Sequence, residues 1–459
     1  MRTTLLNPTV WLLAATLVAA IAGAVRRRHA RESIAQVVRC ATAWPVLLVL
    51  VGLAAAGIGS RAVLGVLSPG AYAEEVVAAR TFLDQRQLYG ASSEAQIDEA
   101  LAEPGAPIAP WARLPGITPC QANAMSSRAR FYTEHAHTPM LLLAGVPVVH
   151  LGGGRGLYAL LLLLSAGAVL AMTAVLVERA GFAWRSRGAL LILAAVAGWQ
   201  PVLAGVRQGD AVLVAAGLVA VAWYFVARAG NGRAGIAAAL ASCLALPAIG
   251  VLPALARTAP RAAALATTIV AAAVGVTVAI AGLAVVPGFL QTAAETARTY
   301  AAAPPNYGVA GRLLAATGSG VLLAALALVI AGSWWRARGT DAVFAAFVTI
   351  GLLIAPVVWS QHLALVLVPA VVLLRRIAAQ GSPLALSAWA LLALSFSLAD
   401  GAAARLGQIV STGLQPAPIV PAAILVLWAW SVFGDAARKP LAAAAEADPL
   451  GVQHPVRAR

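Results

Sequence analysis

Residues 157–177 read LYALLLLLSAGAVLAMTAVLV. None of these side chains is charged at neutral pH. As a helix rising 1.5 Å per residue, the stretch is about 31 Å long, close to the roughly 30 Å hydrocarbon thickness of a bilayer. It lacks the apolar–polar alternation of a barrel strand. Helices and closed barrels alone satisfy their backbone polar groups in lipid, so the stretch is read as a spanning helix. The rest of the chain agrees. Of its 459 residues, 61% are hydrophobic and 11% charged, with a mean hydropathy of +0.86. Soluble domains carry roughly 25% charged residues, and a single soluble core stops growing at about 250–300 residues. The fold class expected is all-α: a polytopic helical membrane protein.

The net charge is +15, and Lys439 is the sole lysine among the positive residues. The arginines fall in short clusters between apolar runs: 26–31, 179–187, 228–233, 257–261, 336–338 and 375–376. That is the positive-inside pattern, and it argues against a nucleic-acid partner. Thr9–Val25 is followed, not preceded, by most of its charge, so it is read as a retained first helix instead of a cleaved signal peptide. Ala43–Val66 then runs outward into the long polar stretch Ser68–His137, placed outside the cytoplasm. Pro139–His150 is too short to span comfortably and is expected as a half-helix or surface helix on the outer side. Further spans are expected at Leu157–Val177, Ala189–Ala204, Ala211–Val226, Ala263–Val286, Gly320–Trp335, Ala342–Val358, Leu363–Leu374, Leu384–Leu398 and Val420–Phe433. Ala234–Leu255 has basic flanks on both sides and prolines at 247 and 253. It is read as two short helices that enter and leave on the cytoplasmic side, since irregular backbone is tolerated at depth where protein covers it. The expected organisation is one membrane domain over residues 1–435, with an extracytoplasmic loop at 68–137 and a disordered cytoplasmic tail at 436–459. Cys40, Cys120 and Cys243 show no motif spacing.

This topology collects the polar residues on one side. Glu74, Glu75, Asp84, His135, His137, Arg207, Asp210, Asn306, Arg312, Trp359, Gln361 and His362 all fall at the outer face. The spans hold almost no ionisable groups, which argues against an ion-coupled transporter. Each of these residues also has a structural reading: solvated loop glutamates, a helix cap for His137, an interfacial anchor for Trp359. Gly152-Gly153-Gly154 has no strand before it and no Lys-Ser/Thr after it, so it is a turn and not a phosphate loop.

Six stretches, in order, resemble glycosyltransferase family 87, membrane enzymes of the GT-C type that use polyprenyl-phosphate sugars. They are Gly70–Leu83 with Leu88-Tyr89, His135–Pro147, Trp199–Asp210, Gly235–Pro247, Asn306–Gly311 and Ala355–His362. Three positions depart from the family pattern. Ala71 stands where an outer-loop aspartate is expected, Ala245 or Leu246 where a lysine flanks the proline, and Gln361 where the first of two histidines is expected.

The resemblance implies transfer of a sugar, mannose or another hexose or pentose, from a polyprenyl-phosphate donor to a glycan or glycolipid acceptor in the cell envelope. No cofactor is expected and no metal cluster is evident in the sequence, although Glu74, Glu75 and Asp210 could hold an ion weakly. The acceptor hydroxyl needs a base, and the departing phosphate needs cationic or hydrogen-bonding partners. With Ala at 71, Glu74 and Glu75 are the catalytic candidates. Glu75 is preferred because a four-residue step keeps to one helix face. His137, Arg207, Asp210, Asn306, Trp359 and His362 are the substrate-binding candidates. Two rival classes stand beside this reading: an inactive relative acting as an envelope-assembly scaffold, which Ala71 favours, and a lipid or solute transporter. Inverted repeats would favour the transporter, and none is found.

Overall fold

Glycines and prolines break the apolar runs, and the breaks set the architecture. The computed structural model describes residues 7–26, 29–67, 72–85, 87–89, 137–300, 306–317, 319–397 and 419–434. Most of the 68–137 loop, including Ala71, Cys120 and His135, lies outside them, as does the tail from residue 435. Among the described residues the chain is helical throughout: α1 Pro8–Val25, α2 Ala30–Ala41, α3 Trp44–Leu67, α4 Tyr72–Gln85, α5 Pro139–Arg179, α6 Arg187–Ala197, α7 Gln200–Gln208, α8 Val212–Val226 and α9 Asn231–Leu244. There follow α10 Val251–Thr258, α11 Pro260–Ala281, α12 Val285–Tyr300, α13 Val309–Thr317, α14 Ser319–Arg336, α15 Thr340–Ile354, α16 Leu367–Gln380, α17 Pro383–Ser397 and α18 Ile419–Phe433. Single 3-10 turns, Leu246–Gly250 and Ser360–Val366, precede α10 and α16. The protein is an all-α, multi-pass membrane protein.

Among the described residues, five helical segments are long and apolar enough to cross a bilayer: Pro8–Val25, Trp44–Val66, Pro139–Arg179, Pro260–Ala281 and Ser360–Gln380. The other expected spans appear as shorter pieces. Ala189–Ala204 is not one helix, because α6 and α7 meet at a 57° bend. Gly198 there packs on Pro8, where a Cβ would meet Pro8 Cγ at 2.2 Å, and Pro201 opens α7 without an N–H to continue α6. α11 stops at Ala281, short of the expected Val286, because Gly282 turns to φ +81°. The run expected to reach Val358 ends at Ile354, since Ala355 is extended ahead of Pro356. α5 joins the expected half-helix and span across one non-helical residue, Gly153, at φ 59° and ψ −166°.

The 234–255 segment is a helix pair, as its prolines and flanks predict. α9 ends at Leu244, Ala245 is extended, and Pro247 opens the 3-10 turn. The start of α9 lies against the start of α11: a Cβ on Gly235 would stand 2.7 Å from the Ala262 carbonyl. The far end of α9 meets the start of α5, where Thr138 Oγ1 donates to the Cys243 carbonyl. The chain therefore goes in along α9 and returns along α10. Small residues make such approaches possible. Gly351 of α15 touches the Pro247 carbonyl and Gly250 touches Phe347. α15 is buried continuously from Ala342 to Leu353 and forms the bundle's centre.

The loops sort into two ends. At the basic end, Arg228 pairs with Glu178, and Tyr224 Oη donates to the same carboxylate at 2.5 Å. Asp341 accepts from Trp223 Nε1 at 2.9 Å and pairs with Arg375 at 3.3 Å and Arg179 at 3.9 Å. Arg257 donates to the Ser333 carbonyl at 3.0 Å, and Arg31 to that of Ala378 at 2.8 Å. Arginine clusters far apart in sequence thus share one end of the bundle. The opposite end holds His137, Asp210, Asn306 and Trp359–His362.

Candidate functional site

α4 packs along the first half of α5. Tyr72 anchors it: the ring lies 4.9 Å from that of Tyr158, and its hydroxyl donates to the Gly65 carbonyl at 3.3 Å. Gly209, at φ +61°, lets the 207–210 loop pass beneath both rings, since a Cβ there would stand 2.7 Å from Tyr158. Three residues beyond Tyr72, Glu75 faces Gly145 in the α4–α5 contact, where a Cβ on the glycine would stand 3.9 Å from Glu75 Cβ. The buried cluster of these two helices includes Val76, Val77, Leu141 and Leu142.

Glu75 is 1% exposed, and His137 is 19% exposed. His137 Nδ1 donates to Glu75 Oε1 at 2.7 Å. The second carboxylate oxygen, Oε2, is buried without a hydrogen-bond partner among the described residues. An orphaned buried carboxylate oxygen is costly, and where it persists it calls for a functional explanation. His137 is itself fixed by Tyr89, whose hydroxyl donates to the His137 carbonyl at 2.6 Å. Burial, helped by Tyr158 and opposed by Arg155, pushes the Tyr72 phenol up, and burial does the same to Tyr89. Both stay neutral hydrogen-bond donors at physiological pH.

A second set of polar residues adjoins this pair. Asp210 Oδ1 accepts from the Val212 N–H at 2.9 Å, capping the start of α8, and Oδ2 accepts from Gln361 Nε2 at 3.1 Å. The Trp359 N–H donates to His362 Nδ1 at 2.8 Å, which places the proton of the neutral imidazole on Nε2. His362 is within electrostatic reach of both Asp210 and His137. Residues 75, 137, 210, 361 and 362 therefore converge.

The other expected residues are placed differently. Arg207 is exposed on α7, three residues before Asp210, and its guanidinium has no partner among the described residues. Trp359 is half-buried. Asn306 is fully buried and holds two segments together. Its Oδ1 accepts from Gly308 N at 2.7 Å and Val358 N at 2.9 Å, and its Nδ2 donates to the Pro356 carbonyl at 2.9 Å. Glu74 sits on α4, but its side chain lies outside the description.

Among the described residues, Arg312 and Arg155 also stand at this end without an expected role. Arg312 donates through Nε and Nη2 to the Asn306 carbonyl, at 3.2 and 2.6 Å. Arg155 follows the Gly153 break and lies within electrostatic reach of Tyr72. The triple glycine before Arg155 was the sequence signal for an exposed arginine at a broken helix.

No curated protein and no solved structure matches the chain. Residues 135–360, nearly half the chain, match the model described as Glycosyltransferase family 87. The match takes in His137, Arg207, Asp210, Asn306 and Trp359, ends two residues before His362, and leaves out α4 with Glu75. That match, over a core rich in apolar helices, supports assigning the protein to glycosyltransferase family 87, a family of membrane glycosyltransferases.

Proposed function

We propose that the protein transfers a sugar from a polyprenyl-phosphate donor to a hydroxyl of a cell-envelope glycan or glycolipid, with Glu75 as general base. The reading rests on one observation above all: a buried carboxylate with one oxygen hydrogen-bonded to His137 and the other left without a partner among the described residues. In the proposed step, the acceptor hydroxyl gives its proton to Glu75 Oε2 as its oxygen bonds to the anomeric carbon. The bond from that carbon to the phosphate oxygen breaks, and the polyprenyl phosphate leaves with the electron pair. His137 holds Glu75 in place. Arg207, with Arg312 and Arg155 near the same end, offers positive charge to the departing phosphate, and guanidinium forks match phosphate geometry. Asp210 and Gln361 fix the loop that carries His362. Arginine-rich loops face the cytoplasm, so this site meets the opposite membrane face, where a polyprenyl tail in hydrocarbon brings its phosphate to headgroup level.

Purified protein, supplied with a polyprenyl-phosphate sugar and acceptor, tests the reading. Glu75→Gln is expected to lower transfer by roughly 10²–10⁴-fold, the usual worth of a general base. Glu74→Gln is expected to stay near wild type. Full activity in Glu75→Gln with loss in Glu74→Gln moves the role to Glu74. Activity that survives both changes removes the carboxylate reading.

A further inference from the structure

At the basic end, far from the Glu75 site, α1, α2 and α3 enclose a groove of about 630 Å³. Gly23 makes it possible by letting Ser33 of α2 approach α1, where a Cβ would stand 2.5 Å from the serine hydroxyl. One stripe of α1 forms the floor, from Trp11 through Ala15, Val18 and Ala22 to Arg26. At 1.5 Å per residue that stripe is about 22 Å long, more than the depth of one leaflet's hydrocarbon. Val46 and Leu50 of α3 complete the apolar wall. Trp11 and Val18 remain 52% and 67% exposed, so no side chain among the described residues fills this space. The polarity is graded. Arg26, at the C-terminal end of α1, is the single charged residue among the described lining residues, and Gln36 of α2 also lines the groove. Its guanidinium has no partner among the described residues. Arg187, stacked 4.8 Å over Trp44, adds positive charge at the same end.

We propose that this groove is a binding site for one anionic glycerophospholipid. The phosphate lies at Arg26, and an acyl chain lies along Val18 and Trp11. An apolar trough as deep as a leaflet, closed at headgroup depth by an uncompensated arginine, matches an amphiphile with a negative head and a long hydrocarbon tail. The charged end of the groove, at Arg26, is at the end of the bundle opposite Glu75, so its occupant is distinct from the sugar donor.

Full-length protein purified in detergent is titrated with dioleoylphosphatidylglycerol or dioleoylphosphatidylcholine, and bound lipid is counted by native mass spectrometry. Wild type is expected to retain one phosphatidylglycerol in preference to phosphatidylcholine. Arg26→Gln is expected to weaken that binding about tenfold, the order expected for losing a charge-assisted hydrogen bond to phosphate, while Arg26→Lys keeps most of it. Ala15→Trp and Ala22→Trp fill the groove from exposed positions and are expected to displace the lipid. Equal retention of the two lipids by wild type overturns the proposal. So does phosphatidylglycerol binding unchanged in both Arg26→Gln and Ala22→Trp, or displacement of phosphatidylglycerol by equimolar polyprenyl phosphate.

Discussion

Glu75 and His137 are 62 positions apart, and their pairing marks where reading the sequence stops being enough. Helical spacing favours Glu75 over Glu74 within one short segment. Nothing local says which distant residue would hold it, because hydrogen-bond partners are chosen by how helices pack. Asn306 gives the opposite lesson. As a polar residue at the outer face it reads as a ligand contact, yet its amide is occupied by Gly308, Val358 and Pro356. Two outcomes follow at this scale. Asn306→Ala leaves three buried backbone groups unsatisfied, each worth about 1–3 kcal/mol. It is expected to lower the thermal unfolding midpoint in detergent sharply, and Asn306→Asp, which keeps the Oδ1 bonds, is expected to lower it less. His137, as a positioning residue, is expected to act through Glu75. His137→Ala should reduce kcat about tenfold, roughly the loss of one hydrogen bond, with KM for the donor little changed. His137→Asn, which retains a side-chain N–H, should recover part of the loss. A rise in KM with kcat intact would instead give His137 a role in binding the donor.

Helices and their breaks were the most legible layer. Apolar runs near 20 residues located α1, α3, α5 and α11, and Pro247 between basic flanks located the α9–α10 return. Boundaries were missed where a bend depends on a distant neighbour. Gly198 turns because Pro8 lies against it, and the Ile354 end of α15 is followed by a segment pinned to Asn306. α12 follows a glycine break inside what reads as one long run, and its amphipathic sequence carries no spanning signal. Glycine contacts allow a test at this scale in which packing and propensity have opposite signs. A Gly→Ala change inside a helix ordinarily stabilises by up to about 1 kcal/mol. At Gly351 the new Cβ would stand 2.0 Å from the Pro247 carbonyl, a backbone atom that cannot swing away. Gly351→Ala is therefore expected to destabilise by roughly 1–3 kcal/mol, the usual cost of overpacking. Gly275→Ala on α11, with nothing within 4 Å of its Cβ, is expected to be neutral or stabilising. Equal midpoints for the two variants in thermal unfolding would show that the helix pair does not pack tightly against α15.

Across the whole molecule, charge carries the organisation. Arginine clusters from six separate loops were read onto one side from their positions between apolar runs. The contacts of Arg31, Arg179, Arg228, Arg257 and Arg375 bring clusters of that set to one end of the bundle. That gathering has a local energetic basis as well as a topological one. Asp341 and Glu178 neutralise part of the charge, and Trp223 and Tyr224 lie under the Arg179 and Arg228 guanidinium groups at 4.3 and 4.7 Å. Such contacts are each worth about 0.5–1 kcal/mol at exposed sites. By the positive-inside rule the basic end is expected in the cytoplasm and the Glu75–His137 end outside it. The 68–137 loop leaves from the Glu75 end, so Ala95 is expected outside, and the tail, which follows α18 toward the end where Arg376 donates to the Ser431 carbonyl at 3.3 Å, is expected inside. Single cysteines at 95 and 445, introduced after Cys40, Cys120 and Cys243 are replaced, check this in intact cells with a membrane-impermeant thiol reagent. Labelling at 95 in intact cells, with labelling at 445 only after permeabilisation, is the expected result. The reverse pattern would turn the molecule over and put the proposed sugar-transfer site on the cytoplasmic face, where the lipid-phosphate donor would have to present its sugar from the opposite leaflet.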